Sequence, residues 1–403
     1  MDYKIIDYCL CCHDKNLKNI LDLGEQPLAN NFHNLNEDEN NYPLKLNLCI
    51  KCYHCQLSAI INPDILFLNY KYVSGTSTTG LIFFKYLADY ITYYKNIKNG
   101  NILDIACNDG SQLNFFKNLC WNTYGVDPAK NLYLISSKNH NIICDYWNFE
   151  TSNKLPKMDV ILAQNVFAHT EYVDDFLLGC KNVLKENGSL FIQTSQKNMI
   201  LNNEFDTIYH EHISFFNTKS MDILTKRNGL ILNKVFENPI HGTSYIFEIK
   251  LYKDDKIYNV DEYLHNENIN GLYDLNTYDI YKNKVLLSVI NLKKKINEYK
   301  QNKYKCIGFG ASAKSQTVLC YGDIKLDYII DENPLKINLF SPKLNIPIVD
   351  LDFFIKDNEQ NYLIILTAWN FSEEIINKIK INKNNKNIII MKQYFPDIIL
   401  QNI

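Results

Sequence analysis

Asn101-Ile102-Leu103-Asp104-Ile105-Ala106-Cys107-Asn108-Asp109-Gly110-Ser111 is the stretch that decides the fold. A buried-strand run breaks here into a tight turn of small residues, and Gln112 to Leu119 continue as a helix. Tyr124-Gly125-Val126-Asp127-Pro128 then reads as a second strand ending in an acid. This is the βαβ logic of a nucleotide-binding half: the turn lets the backbone approach a ligand, and the acid takes the two ribose hydroxyls.

The turn lacks the three glycines of a dinucleotide site, and Asn108-Asp109 puts acidic character where a diphosphate would be repelled. That favours a neutral or cationic nucleoside over NAD. S-adenosylmethionine fits, because its sulfonium and amino groups tolerate acidic walls. The alternation runs on through strand Met158 to Gln164, loop Asn165 to His169, helix Val173 to Lys185, turn Asn187-Gly188 and strand Ser189 to Thr194. A helix with Leu81, Phe84, Leu87, Ala88 and Ile91 at helical spacing precedes it.

Downstream, Val260 to Lys300 reads as a helical bridge. Tyr304 to Thr317 follows as strand, glycine turn and helix, and Leu326 to Asp331 as a strand with an acidic end. Tyr362 to Thr367 and Asn387 to Met391 complete a second α/β sheet. Gly308-Phe309-Gly310-Ala311-Ser312-Ala313-Lys314 could cradle a diphosphate with Lys314 as counter-charge, or could be a glycine turn that packs its helix. The fold class is α/β.

At the other end, Cys9/Cys12 and Cys49/Cys52 are two Cys-x-x-Cys pairs. Two such knuckles bring four thiolates to a tetrahedron, the closed geometry of structural zinc. Cys52/Cys55 has the same spacing, and Cys11, His13 and His54 are further possible ligands. The metal would staple a segment with little core of its own.

Composition narrows the rest. Lys and Arg total 42 against 45 Asp and Glu, and Arg227 is the single arginine, so nothing argues for nucleic acid. The N-terminus lacks the basic and apolar regions of a signal peptide, and no apolar run reaches membrane length. A cytoplasmic protein is expected, with its 12 cysteines reduced.

Phe205-Asp206-Thr207-Ile208-Tyr209-His210-Glu211-His212 is denser in proton-moving side chains than a solvated loop needs, and it follows a strand, where α/β folds place chemistry. A metal pair, His210 with His212, is the competing reading, but their spacing is not diagnostic.

The stretch from Leu103 to Gly110, Asn165-Val166-Phe167-Ala168-His169 and the Phe205 to His212 stretch occur in the order seen in the zinc-containing sugar C-methyltransferases, and the chain resembles that family along essentially its whole length. The Tyr-His-Glu-His segment is the most specific part. The resemblance implies a Rossmann-like class I methyltransferase domain (69–242) between a zinc-binding module (1–68) and a C-terminal Rossmann-like domain (243–403) that holds a nucleotide-linked sugar. It implies methyl transfer to the carbon beside the ketone of a nucleotide-linked keto-deoxysugar, by a monomer or homodimer.

In the family's pattern, Cys9, Cys12, Cys49 and Cys52 hold zinc, and His212 is the base. Glu211, Tyr209, His169, Tyr70 and Tyr72 line the reacting centre. Asp104, Ala106, Asn108, Asp109, Gly110, Asp127 and Asn165 meet S-adenosylmethionine. Tyr70, Tyr72, Ser74, His241, Ser244, Gly310, Ala311, Ser312, Lys314 and Asp331 meet the sugar nucleotide.

The chain also departs from that pattern. Asp104 and Ala106 stand for the usual Glu and Gly, Gln193-Thr194-Ser195-Gln196 for Glu-x-Pro-Tyr, and Thr243-Ser244-Tyr245 for a run ending in Arg. These changes leave O- or N-methylation of another nucleotide-linked metabolite as the alternative. An NAD-dependent oxidoreductase is disfavoured by Asn108-Asp109.

Overall fold

The computed structural model describes residues 2–35, 37, 39–67, 73–76, 78–194, 198–238, 243–252, 258–369, 372–383, 386–394 and 397–403. Tyr70, Tyr72 and His241 lie outside the described residues. Among those described, no helix is long and apolar enough to cross a membrane.

The N-terminal module is an antiparallel sheet of β1 (Leu17–Pro27), β2 (Asn41–Cys49) and β3 (Cys55–Leu57). On β2, Tyr42, Leu44, Leu46 and Leu48 are buried in alternation, the period-two pattern of a half-buried strand. The two cysteine pairs sit at the turns that flank this sheet.

The central part contains α1 (Thr78–Lys95), β4 (Asn101–Ile105), α2 (Ser111–Asn118), β5 (Asn122–Val126), β6 (Asn141–Ile143), β7 (Met158–Gln164), α3 (Val173–Val183) and β8 (Leu184–Thr194). Then come β9 (Ser214–Phe215), α4 (Thr218–Arg227), β10 (Leu230–Asn238) and β11 (Ser244–Leu251). Seven of these strands form one sheet in the order β10-β11-β8-β7-β4-β5-β6, with β11 running antiparallel between β8 and β10. This is the Rossmann-like arrangement of a class I methyltransferase.

The central strands are apolar on both faces because both faces are covered. Ile102 packs with Leu87, Ile91, Leu113 and Phe116 from α1 and α2. Leu103 and Ile105 pack on the opposite side with Phe176, Leu177 and Leu224 from α3 and α4.

Two boundaries differ from expectation. Helix α3 stops at Val183, and buried Leu184 already pairs with Met158 of β7, with a register shift before Ser189. The division at 242/243 falls inside the β10–β11 hairpin, so the central sheet runs on to Leu251. Short β9 leaves the central part altogether and adds an edge to the N-terminal sheet by pairing with β3.

The C-terminal part starts with α5 (Val260–Ile269) and α6 (Leu275–Gln301). It continues with β12 (Lys305–Phe309), α7 (Ala313–Gly322), β13 (Ile329–Ile330), β14 (Ile348–Val349), β15 (Asn361–Ile365), α8 (Ser372–Asn382), β16 (Asn387–Gln393) and β17 (Ile399–Asn402). The sheet order is β14-β13-β12-β15-β16-β17, parallel except for β17, so the chain folds a second Rossmann-like sheet.

One core joins the three parts. Leu21 and Leu46 of the N-terminal sheet, Phe205 and Ile208 of the polar stretch, Tyr281 and Val289 of α6, and Leu319 and Ile329 of the last sheet belong to a single buried cluster.

Candidate functional site

The turn after β4 is wound by left-handed residues at every second position: Ala106 at φ 60°, Asn108 at φ 52° and Gly110 at φ 81°. Asp127, at the tip of β5, holds it in place. Its Oδ2 accepts the Asn108 N–H at 2.8 Å and its Oδ1 accepts the Ala129 N–H at 2.9 Å. The acid expected to take ribose hydroxyls thus already binds two backbone donors, each oxygen keeping a lone pair for more.

A second segment closes over the turn. Ser74 N–H donates to Asn108 Oδ1 at 2.9 Å, and Gly75 N–H to Asp109 Oδ2 at 3.0 Å. A Cβ on Gly75 would stand 2.5 Å from that carboxylate oxygen, so only glycine allows the contact. Burial, then the charges of Asp127 and Asp109, push the Asp104 carboxyl well above its usual range. Burial likewise raises Asp127. The three acids repel one another, and a bound cation relieves that repulsion. Asn165, also left-handed at φ 52°, stands exposed at the tip of β7. The donor set and the charge fit S-adenosylmethionine.

The polar stretch folds into a compact loop whose apolar residues, Phe205 and Ile208, are fully buried. His212 is fixed at both nitrogens. Nδ1 lies 2.9 Å from the Thr207 carbonyl oxygen, which can only accept, so Nδ1 carries the proton. In the neutral ring Nε2 is therefore the basic nitrogen, and the Tyr209 hydroxyl donates to it at 3.0 Å. The His169 ring lies 5.0 Å away between centroids. Burial lowers its pKa to about 4, so it stands neutral beside His212.

Glu211 departs from expectation. It is 7% exposed, and its Oε1 accepts from Asn30 Nδ2 at 2.6 Å, so it faces the N-terminal module. The Thr207 carbonyl orients the His212 ring. His210 is structural, with Nε2 at 3.3 Å from the Tyr42 carbonyl oxygen and burial lowering its pKa to about 4. Asp206 accepts from Trp369 Nε1 at 3.2 Å and ties the loop to the C-terminal part.

The C-terminal turn repeats the first device. Asp331 Oδ2 accepts the Ala311 N–H at 2.6 Å, and Oδ1 accepts the Asn333 N–H at 2.8 Å. Ser312 caps α7 by accepting the Ser315 N–H at 3.2 Å and donates to the Thr367 carbonyl at 3.1 Å. Gly310 is required by packing, since a Cβ there would stand 2.4 Å from Ala368 Cβ. Lys314 is different: its Nζ is buried without a hydrogen-bond partner among the described residues, 5.4 Å from the Trp369 ring centroid. Ser244 is fully buried at the start of β11.

Among the described residues, Cys9, Cys12, Cys49 and Cys52 form one metal-ligating group, their Sγ atoms all within 4.8 Å of one another. That four-thiol set fits structural zinc. Cys11, Cys55 and His54 stand outside it. The single arginine, which sequence reasoning used only to exclude nucleic acid, holds this knuckle: Arg227 donates to the Cys11 and Leu10 carbonyls and pairs with Asp174 of α3. Thr207 and Asn30 were also missed. Thr207 lies inside the quoted stretch; nothing local marks Asn30.

Three family models match in succession: a zinc binding domain over residues 9–67, a methyltransferase domain over 82–234 and a C-methyltransferase C-terminal domain over 239–392. The chain is 25% identical over 390 residues to C-methyltransferase NovU of Streptomyces niveus, covering 93% of this chain and 92% of that one. It is 26% identical over 157 residues to a ubiquinone biosynthesis O-methyltransferase of Pelagibacter ubique, covering 35% of this chain and 65% of that one. Among solved structures it is similar to magnesium protoporphyrin IX methyltransferase (ChlM) of Synechocystis PCC 6803 with bound SAM. That match has 11% identity and a TM-score of 0.34 over 43% of this chain and 79% of that one, a score too low to carry argument.

Proposed function

We propose, for a chain that is an S-adenosylmethionine-dependent C-methyltransferase with an N-terminal zinc-binding domain and a C-terminal C-methyltransferase domain, that its acceptor is the carbon beside the ketone of a nucleotide-linked keto-deoxysugar. The observation that carries this reading is the tautomer-fixed His212, its basic Nε2 paired with the Tyr209 hydroxyl at 3.0 Å.

Carbon methylation next to a ketone needs a base before it needs a methyl group. His212 Nε2 takes the proton from the carbon and holds it, its ring kept in register by the Thr207 carbonyl. Neutral His169 and the Tyr209 hydroxyl are donors for the enolate oxygen that forms. S-adenosylmethionine, held at the acidic turn by Asp127 and its neighbours, would supply the electrophilic methyl group, its sulfonium becoming a neutral thioether. Lys314, buried and without an acceptor among the described residues, is the counter-charge for the nucleotide's diphosphate. The four cysteines hold zinc as a structural staple.

The test uses nucleotide-linked 4-keto-6-deoxysugars and follows solvent deuterium exchange beside the ketone together with methyl transfer. His212→Ala slows both by about 10²–10⁴-fold, the range of a placed base. Exchange at the wild-type rate in that variant removes His212 from the reaction. Methyl recovered on oxygen or nitrogen removes the carbon-acceptor reading.

A further inference from the structure

One buried group at the mouth of the central sheet has no task so far. Gln193 is 2% exposed, and among the described residues neither its Nε2 nor its Oε1 has a hydrogen-bond partner. Burying an amide with both ends unpaired is costly, and native proteins seldom tolerate it without a reason. Because both ends are bare, exchanging O and N leaves the problem unchanged.

Its position narrows the reason. Gln193 is the penultimate residue of β8, and its carbonyl accepts the Asn165 N–H at 3.2 Å. Its backbone thus lies two strands from the cofactor turn, with β7 between them. Along β8, Phe191 packs in the core beneath α1 and α2, whereas Leu190 and Ile192 pack on the other face. By the same alternation Gln193 points to the α1/α2 side. Gln164, its register partner on β7, points the same way and donates to Gln112 Oε1 at 3.0 Å, leaving its own Oε1 buried and unpaired.

The two side chains together therefore offer one N–H₂ donor and two carbonyl acceptors that meet no partner among the described residues, all neutral. A carboxylate or phosphate, which only accepts, would leave both carbonyls bare. A hydroxyl matches the Gln193 amide, since it can donate to the carbonyl and accept from the N–H₂ at once.

We propose that Gln193 is a specificity-determining residue that binds a hydroxyl group of the methyl acceptor. This rests on the keto-sugar reading above, because a sugar ring presents hydroxyls beside the reacting carbon. In the protein without acceptor the Gln193 amide is frustrated, and acceptor binding satisfies it.

The experiment compares wild type, Gln193→Leu and Gln193→Glu. It measures melting temperature, calorimetric affinity for S-adenosylhomocysteine, and affinity of the S-adenosylhomocysteine complex for dTDP-4-keto-6-deoxyglucose. Gln193→Leu should melt no lower than wild type, keep its S-adenosylhomocysteine affinity and bind the sugar at least about tenfold more weakly. Gln193→Glu offers the same donor–acceptor pair only while protonated, so its sugar affinity should fall more steeply with rising pH than wild type's. Sugar affinity unchanged in Gln193→Leu overturns the proposal. So does a lower melting temperature, which makes the amide structural, or lost S-adenosylhomocysteine affinity, which assigns it to the cofactor. A wild type that binds no nucleotide-linked keto sugar refutes the substrate reading instead, and the melting comparison still decides whether the amide is frustrated.

Discussion

The chain builds the same turn twice and gives the two copies opposite charge. Asp127 ties the Asn108 turn to the end of β5, and Asp331 ties the Ala311 turn to the end of β13, each carboxylate taking one N–H from the turn and one from two residues on. Around the first lie Asp104 and Asp109. Around the second lie Lys314 and Lys336, the latter donating to the Ala311 carbonyl at 2.7 Å. The carboxylate at the strand tip is thus a structural tie in both sheets, and the surrounding charge sets which ligand each turn suits. An acidic turn attracts a sulfonium and a basic turn attracts a diphosphate.

The tie itself should show the largest effect. Asp127→Ala and Asp331→Ala each remove two charge-assisted hydrogen bonds, and each is expected to cost about 3 kcal/mol of stability. Thermal unfolding of the two variants should shift by similar amounts; one silent variant would break the equivalence of the turns. Charge comes next. Lys314→Ala is expected to weaken dTDP binding about tenfold, or about 1.4 kcal/mol, and to leave S-adenosylmethionine affinity unchanged. Asp109→Asn should do the reverse. Calorimetry of both ligands on both variants checks this, and a crossed effect would show that the turns do not act separately.

The smallest expected effect is on pH. Asp104 and Asp127 hold their protons to higher pH when folded than when unfolded, so folding stability falls as pH rises through their raised values. The charge gained there attracts the sulfonium. S-adenosylmethionine affinity should therefore rise with pH above the ordinary carboxylate range, and that of S-adenosylhomocysteine, which lacks the positive sulfur, should rise less. Equal pH dependence of the two would mean that the acids do not sense the ligand's charge.

Much of this was legible before any coordinates. Parallel strands covered on both faces are continuous apolar runs, so β4, β7 and β15 stand out in the sequence. Cysteine pairs declare themselves by spacing, and Tyr209 and His212 by chemistry. What could not be read depends on partners far along the chain. Asn30 meets Glu211 across 181 positions, and Arg227 reaches the Cys11 carbonyl across 216. An antiparallel strand looks the same whichever sheet accepts it, so β11 read as the start of a new domain while its ladder partners assign it to the central sheet. Gln193 read only as a departure from a family pattern; its unpaired amide exists only once the mouth of the sheet has closed.

The backbone of Ile213 accepts the Leu57 N–H and donates to the Ala168 carbonyl, both at 2.8 Å, immediately after His212. Zinc module, polar loop and central domain are thereby sewn through one residue. For anyone building chimeras from such proteins, the N-terminal module is not an exchangeable cassette: it would have to travel with the 204–216 segment, because the seam between them runs through the main chain next to His212.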